Sequence, residues 1–374
     1  MSAQTWDLHA ELDELEPEWA RSIVGKRRLY LDTNYWIKLR DAQLGRPKYA
    51  HDIELLAALR AAVQQGIAVA PTSDASFLEL MKQTDDNTRQ ATAQLMDELS
   101  GGMTLCGHQE RVSLELQVWL RKASGHQVSL HDLVWTRPIF ILGRFDPREH
   151  IRPGTSFRNA MSREQFQQMW LSPLTEFTAW AKPDSLKEFD DTAAKLNTEM
   201  QLHAAAATSF KKLVMDEMAG AFDLATPMLA GLLADLFGRG KNPQVNKEIQ
   251  DPAFLKSLFN MLMSAFDQKP EEVGRTLPSL YIHAKCHAAL RWDKNSKLKG
   301  NDLLDYQHAA AGVGYCDAFF TEAHLANMLR TKHVKLAEEF SRFVTPDTGL
   351  CSWPATFPMT KVGWELRSEP SRRR

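Results

Sequence analysis

Four acidic residues of this 374-residue chain each stand at the edge of a segment that reads as strand or helix. Asp32 follows the apolar run Leu29-Tyr30-Leu31, and Glu79 falls among Phe77, Leu78 and Met81. Asp305 precedes the small-residue run Ala309-Ala310-Ala311, and Glu322 follows Phe319-Phe320-Thr321. In an open α/β sheet the carboxyl ends of the strands face the crevice where ligands bind. Carboxylates that meet there repel one another and raise one another's pKa unless a cation sits among them. Mg²⁺ and Mn²⁺ suit such a site, because they are hard cations that choose oxygen ligands and keep several waters. Plainer roles compete with this chemistry. Asp32 or Thr33 can cap the helix that follows, and Asp302, at a helix start, reads first as an N-cap. Asp317, in a Cys-Asp turn, reads as a turn residue. Asn34 either caps a helix or hydrogen-bonds Asp32 and a water, while Thr321 is either structural or orients a phosphate or water. His308 reads as a packed or surface histidine rather than a base. His283 and His287, four residues apart, lack the intervening Glu of a zinc-protease motif and read as helix-face residues.

The elements that must position these groups follow from local patterns. Leu29 to Leu31 is a short strand, and a helix begins almost at once with Tyr35, Trp36, Ile37 and Leu39. The apolar spacing from Tyr49 to Gln65 predicts a helix ended by Gly66, and IAVAPT (67–72) predicts a second buried strand. Ser73 heads the Glu79 helix, a further helix runs from about Arg89 to Leu99, and MTLCG is a third short strand. Strand-helix alternation of this kind implies a parallel sheet with helices on both faces.

From about 112 to 277 the periodicity is helical, with little that reads as strand. The segment is expected to be an all-helical insertion that sets substrate access or partner choice. Lys211, Lys212, Arg239, Lys241 and the Arg144 to Arg152 stretch would supply its positive charge. The α/β pattern then resumes: LPSLYIHAKCHAALRW and DLLDYQHAAAGVGY read as helices, and AFF as a strand.

Bulk properties bound the function. The chain has 44% hydrophobic and 25% charged residues, which is ordinary for a soluble globular protein. A net charge of −2 argues against coating nucleic acid by charge alone. Cys106, Cys286, Cys316 and Cys351 lie far apart without a CxxC pair, so a reducing cytoplasm is expected. The acidic N-terminus has no apolar core, and no stretch approaches the ~20 apolar residues of a membrane span, so no membrane association is expected.

LYLDTNYWIKL, the Glu79 helix and NDLLDYQHAAAGVGYCDAFFTEAHL together resemble the PIN-domain nucleases. The pattern of that family is strand-Asp-x-Asn/Ser, a helical Glu, an Asp ahead of an alanine-rich helix, and an apolar strand ending in Thr and an acid. The third segment is the most specific. The resemblance covers about residues 26 to 110 and 278 to 330. It implies an α/β fold: a PIN-like three-layer α/β/α core with a parallel sheet, interrupted by the large all-α insertion. The expected organisation is an N-terminal extension (1–25), a first core part (26–111), the helical insertion (112–277), a second core part (278–345) and a C-terminal tail (346–374). Carried over residue by residue, the family pattern makes Asp32, Glu79, Asp305 and Glu322 catalytic and metal-holding. Asn34, Asp302, Asp317 and Thr321 would support them, with Mg²⁺ or Mn²⁺ as cofactor. It implies an endoribonuclease, with RNA favoured over DNA and with toxin, phage-defence and processing roles left open. Family members are commonly much shorter, and their last acid often falls one position later, so Glu322 and Asp317 compete for the fourth place. Two other readings stand beside this one. One is a non-cleaving PIN-like scaffold whose insertion binds a protein, an RNA or a second copy of the chain. The other is a structure-specific DNA nuclease, although its basic helical clamp is not evident here.

Overall fold

The computed structural model describes residues 8–144, 163–180, 182, 184–202, 208–236, 251–293 and 296–345. The tail from 346, Arg239, Lys241 and most of the Arg144 to Arg152 stretch lie outside the described residues. The chain is mostly helical and carries a small parallel sheet. Its strands are β1 (Arg27–Leu31), β2 (Ala68–Val69), β3 (Thr104–Leu105), β4 (Trp135–Thr136), β5 (Ala318–Phe320) and β6 (Phe343–Thr345). The helices of the first third are α1 (Leu8–Arg21), α2 (Thr33–Gln43), α3 (Ala50–Gln64), α4 (Asp74–Met81), α5 (Asp86–Ser100) and α6 (His108–Ala123).

Four strands run parallel in the order β2-β1-β5-β6. A parallel bridge between Thr72 and Thr104 brings β3 alongside the continuation of β2. Alternation along the strands sends side chains to two different cores, as the twofold period of a strand requires. Leu29, Leu31, Ala318 and Phe320 pack with Trp36, Leu39, Leu56 and Leu99 on one face. Tyr30, Phe319 and Val344 pack on the other with Ile282, Ala310 and Val313. Helices therefore cover both faces, and the unbroken apolar run of β5 and of Leu29 to Leu31 in β1 follows from that double burial.

Local chemistry starts and stops the helices near the site. Asp32 caps α2 by accepting from the Tyr35 amide, and Ser73 caps α4 by accepting from the Ser76 amide. Asp85 does the same for α5, which Gly101 ends in the left-handed region at φ +58°.

The range 112–277, expected to be all helical, contains β4, which pairs antiparallel with β3. A two-residue strand has no periodicity to read. It is held instead by burial of Trp135 and by the Trp19 indole of α1, which donates to the Thr136 carbonyl at 3.1 Å. The helices of that range also join the main core. Leu213, Met218, Phe222 and Leu229 of the Phe210–Leu236 helix belong to the same apolar cluster as Tyr30, Phe319 and the Pro278–Trp292 helix. No helix among the described residues is long and apolar enough to cross a membrane.

Candidate active site

Asp32 leaves the carboxyl end of β1, and its amide donates to the Phe320 carbonyl at 3.0 Å. That bond continues the β1–β5 ladder by one residue and places Asp32 beside Thr321 and Glu322. Its Oδ1 accepts from the Tyr35 amide at 3.2 Å and its Oδ2 from the Glu322 amide at 3.1 Å. The capping role and a place at the strand mouth are thus filled by one side chain, and a carboxylate with about four lone-pair sites has capacity left over. Burial pushes the Asp32 carboxyl up to about 6, against the pull of the Thr321 hydroxyl and of His308.

Asp32, Glu79, Asp305 and Glu322 all line one cavity of about 450 Å³, together with Thr33, Asn34 and His308. Three of the four are brought there by elements far apart in sequence. Glu79 lies on α4, Asp305 on the Gly300–Tyr315 helix, and Glu322 at the exit of β5. Burial raises the Asp305 carboxyl to about 7, opposed by His308 and reinforced by the charges of Glu79, Asp32 and Asp302. Glu79 differs. Burial pushes it up, but hydrogen bonding and charge from His308, with Thr33 and Lys82, bring it below its ordinary value. Asn34 donates its amide to Glu322.

His308 is the residue that sequence reasoning missed. It is packed, as expected, but its Nε2 lies 3.0 Å from Glu79 Oε2 and its Nδ1 lies 2.8 Å from the Tyr30 hydroxyl. Tyr30 in turn meets Ser73 Oγ at 2.5 Å, so the chain of bonds runs from the helix cap of α4 to the Glu79 carboxylate. Burial lowers the His308 pKa, but the Glu79 bond and the three nearby carboxylates carry it above its ordinary value. The readable signal was its spacing, three residues after Asp305 on one helix face. Lys82 repeats that spacing after Glu79. Its Nζ stands 3.8 Å from Glu79 Oε1 and donates to Asn301 Oδ1 at 2.9 Å.

Two of the supporting residues belong elsewhere. Asp317 sits at the amino end of β5, where its carboxylate accepts from the Arg28 amide at 2.9 Å and pairs with the Arg28 guanidinium at 2.8 Å. Arg28 near the start of β1 and Asp32 just past its end are four residues apart, so at about 3.3 Å per residue the two aspartates are roughly 13 Å apart along the sheet. Asp317 is therefore not part of the cavity, and Glu322 is the acid placed there. Asp302 is in the first turn of its helix, and its carboxylate accepts from the Lys299 amide at 2.7 Å. It caps the helix from inside rather than as the residue before it, and it reaches the site through its charge on Asp305. Thr321 is buried beside Asp32, and its amide donates to Thr345. Arg144 is engaged by Glu16 and Glu110, and Lys211 by Asp267 at 3.0 Å, and neither lines this cavity.

Among the described residues, no group of three or more His, Cys, Asp or Glu side chains is closed around a point where a metal could sit. The donor set nonetheless fits a hard cation that keeps several waters. All four acids offer oxygen, Asp305 accepts no hydrogen bond and forms no ion pair among the described residues, and the cavity holds room for solvent. Among protein-family models, curated proteins and solved structures, none matches this chain.

Proposed function

We propose that this cavity is the active site of a divalent-metal-dependent nuclease, with Asp32, Glu79, Asp305 and Glu322 holding Mg²⁺ or Mn²⁺ directly or through water. RNA as the preferred substrate, and the PIN-like identity of the core, follow the sequence resemblance. The observation that carries the reading is Asp305. It is a largely buried carboxylate, crowded by three other acids and without a hydrogen-bond donor among the described residues. An isolated buried carboxylate is costly unless something compensates it, and a bound cation is the compensation this donor set fits. When bound, the cation supplies Lewis-acid activation of water and neutralises charge on the leaving oxygen. The chain's own residues do the positioning. The β1–β5 ladder fixes Asp32, His308 fixes the Glu79 carboxylate, and Asn34 holds Glu322 at the rim. Among the described residues Lys82 supplies the one ammonium group that lines the cavity, where it can meet a substrate phosphate.

The test is cleavage of labelled single-stranded RNA and DNA by the full chain with Mg²⁺, Mn²⁺ or EDTA. Asp32→Asn and Asp305→Asn are expected to abolish metal-dependent cleavage. Asp305→Asn should also leave the melting temperature of the metal-free protein unchanged or raise it, because it removes repulsion and no hydrogen bond. Cleavage that persists in EDTA, or an Asp305→Asn protein cutting at the wild-type rate, would sink the proposal.

A further inference from the structure

A second and larger cavity, of about 720 Å³, adjoins the first, and the two share Asp305 as a wall residue. Its far side is aromatic. Phe210, Trp292 and His333 form a three-ring cluster, with centroids 6.3 Å apart for Phe210 and Trp292 and 5.9 Å from His333 to each of the others. Trp292 is 40% exposed although it ends a helix whose other face is core. Its ring stands at 85° to that of Phe210, and the residue lines the cavity.

The wall carries both signs, with Asp293, Asp302 and Asp305 lining it beside Lys297 and Lys299. The Asp302 carboxylate accepts from the Lys299 amide, and the Asp293 carboxylate accepts from the Ser296 hydroxyl at 2.6 Å. The exposed Lys297 and Lys299 side chains form no ion pair among the described residues. A part-exposed indole with ammonium groups on the same wall is an arrangement that suits a single nucleic-acid strand, since every base offers a π-face and every linkage a negative charge. A duplex base has both faces covered and cannot use it.

We propose that this cavity takes an unpaired base next to the phosphodiester held at the carboxylates. The base stacks on Trp292, and Lys297 and Lys299 meet the flanking phosphate. The inference rests on the nuclease reading and extends it to substrate class: single-stranded rather than paired nucleic acid. It also gives the helical segment a part in the site, because Phe210 comes from it.

The test is binding of a short fluorescein-labelled single-stranded RNA, followed by anisotropy with Ca²⁺ in place of Mg²⁺ or Mn²⁺, to the full chain and its Trp292→Ala, Trp292→Phe and Lys297→Ala/Lys299→Ala variants. Trp292→Ala is expected to weaken binding by roughly tenfold or more, the scale of one lost base–aromatic stack, and Trp292→Phe to recover most of it. The double lysine variant should show a shallower dependence of affinity on salt. Wild-type affinity in Trp292→Ala, equal affinity for a duplex of the same sequence, or no binding by the wild type overturns the inference. Cleavage of the same RNA with Mn²⁺ separates the two readings. A chain that cuts while Trp292→Ala binds normally keeps the nuclease and loses the subsite. A chain that binds through Trp292 and never cuts keeps the subsite and loses the nuclease.

Discussion

Glu115 is fully buried in α6, where it accepts from the Ser279 amide at 2.8 Å and from the Tyr315 hydroxyl. Burial raises its carboxyl from an ordinary 4.5 to about 7, only partly offset by those donors and by Arg111. A raised folded-state pKa means that the native chain holds a proton the unfolded chain has released. The associated stability is complete below about 4.5 and is lost as pH rises through about 7. Glu115→Gln removes this titration. The stability of the wild type relative to the variant should therefore fall by about 1–3 kcal/mol between pH ~5 and pH ~8. Urea melts at the two pH values check this, and a gap that widens in favour of the wild type at high pH would refute it. Asp317 works in the opposite sense. Burial pushes it up, but Arg28 holds it below its ordinary value, so its contribution disappears only as pH falls through that depressed pKa.

Among the elements, the approach of the Gly300–Tyr315 helix to β5 decides whether Asp305 and His308 reach the site. Gly312 makes that approach close. A Cβ at this position would lie 2.6 Å from Phe319 Cγ. Gly to Ala in a helix interior is intrinsically favourable by about 1 kcal/mol, whereas forcing a methyl into a packed core costs about 1–3 kcal/mol. At 2.6 Å, on a fully buried ring, the packing cost wins. Gly312→Ala should destabilise the protein by about 1–2 kcal/mol in urea and, on the proposed nuclease reading, weaken cleavage by displacing Asp305. A variant as stable as the wild type would show that the helix can withdraw from the sheet without penalty. Gly312 thus sets a helix–sheet distance, and through it the position of two residues of the cavity, while Gly314 faces Pro278 and Ile282 of the neighbouring helix.

At the scale of the whole molecule, the segment from 112 to 277 is not loosely appended. The Phe210–Leu236 helix packs on α6 and on the Pro278–Trp292 helix within one apolar cluster that also contains Tyr30 and Phe319. Excising about residues 125 to 275 would uncover the faces of α6 and of the Pro278–Trp292 helix that the Phe210–Leu236 helix packs on, at about 1.5–3 kcal/mol for each large side chain exposed. Against a total stability of about 5–15 kcal/mol, that loss is enough to unfold the remainder. The excised chain is expected to lose cooperative melting and to bind a hydrophobic dye. A truncation that melts cooperatively would show instead that the core stands alone, and cleavage of a short oligonucleotide could then be measured on it.

The sequence by itself determined what local periodicity and local hydrogen bonding control. The strand at Leu29 to Leu31, the AFF strand, the helix carrying Glu79 and the cap position of Asp32 are all set within a few residues, and all were legible there. Only the tertiary structure decided which polar groups meet. His308 finds Glu79 229 residues away, and Arg28 finds Asp317 across 289. Such contacts form because burial of Tyr30, Phe319 and the alanine face brings the elements together, and no local pattern records which buried donor will meet which acceptor. The same cause places Asp317 on the amino edge of the sheet and Glu322 on the carboxyl edge. The two acids are five residues apart, and only the direction of β5 relative to β1 separates them.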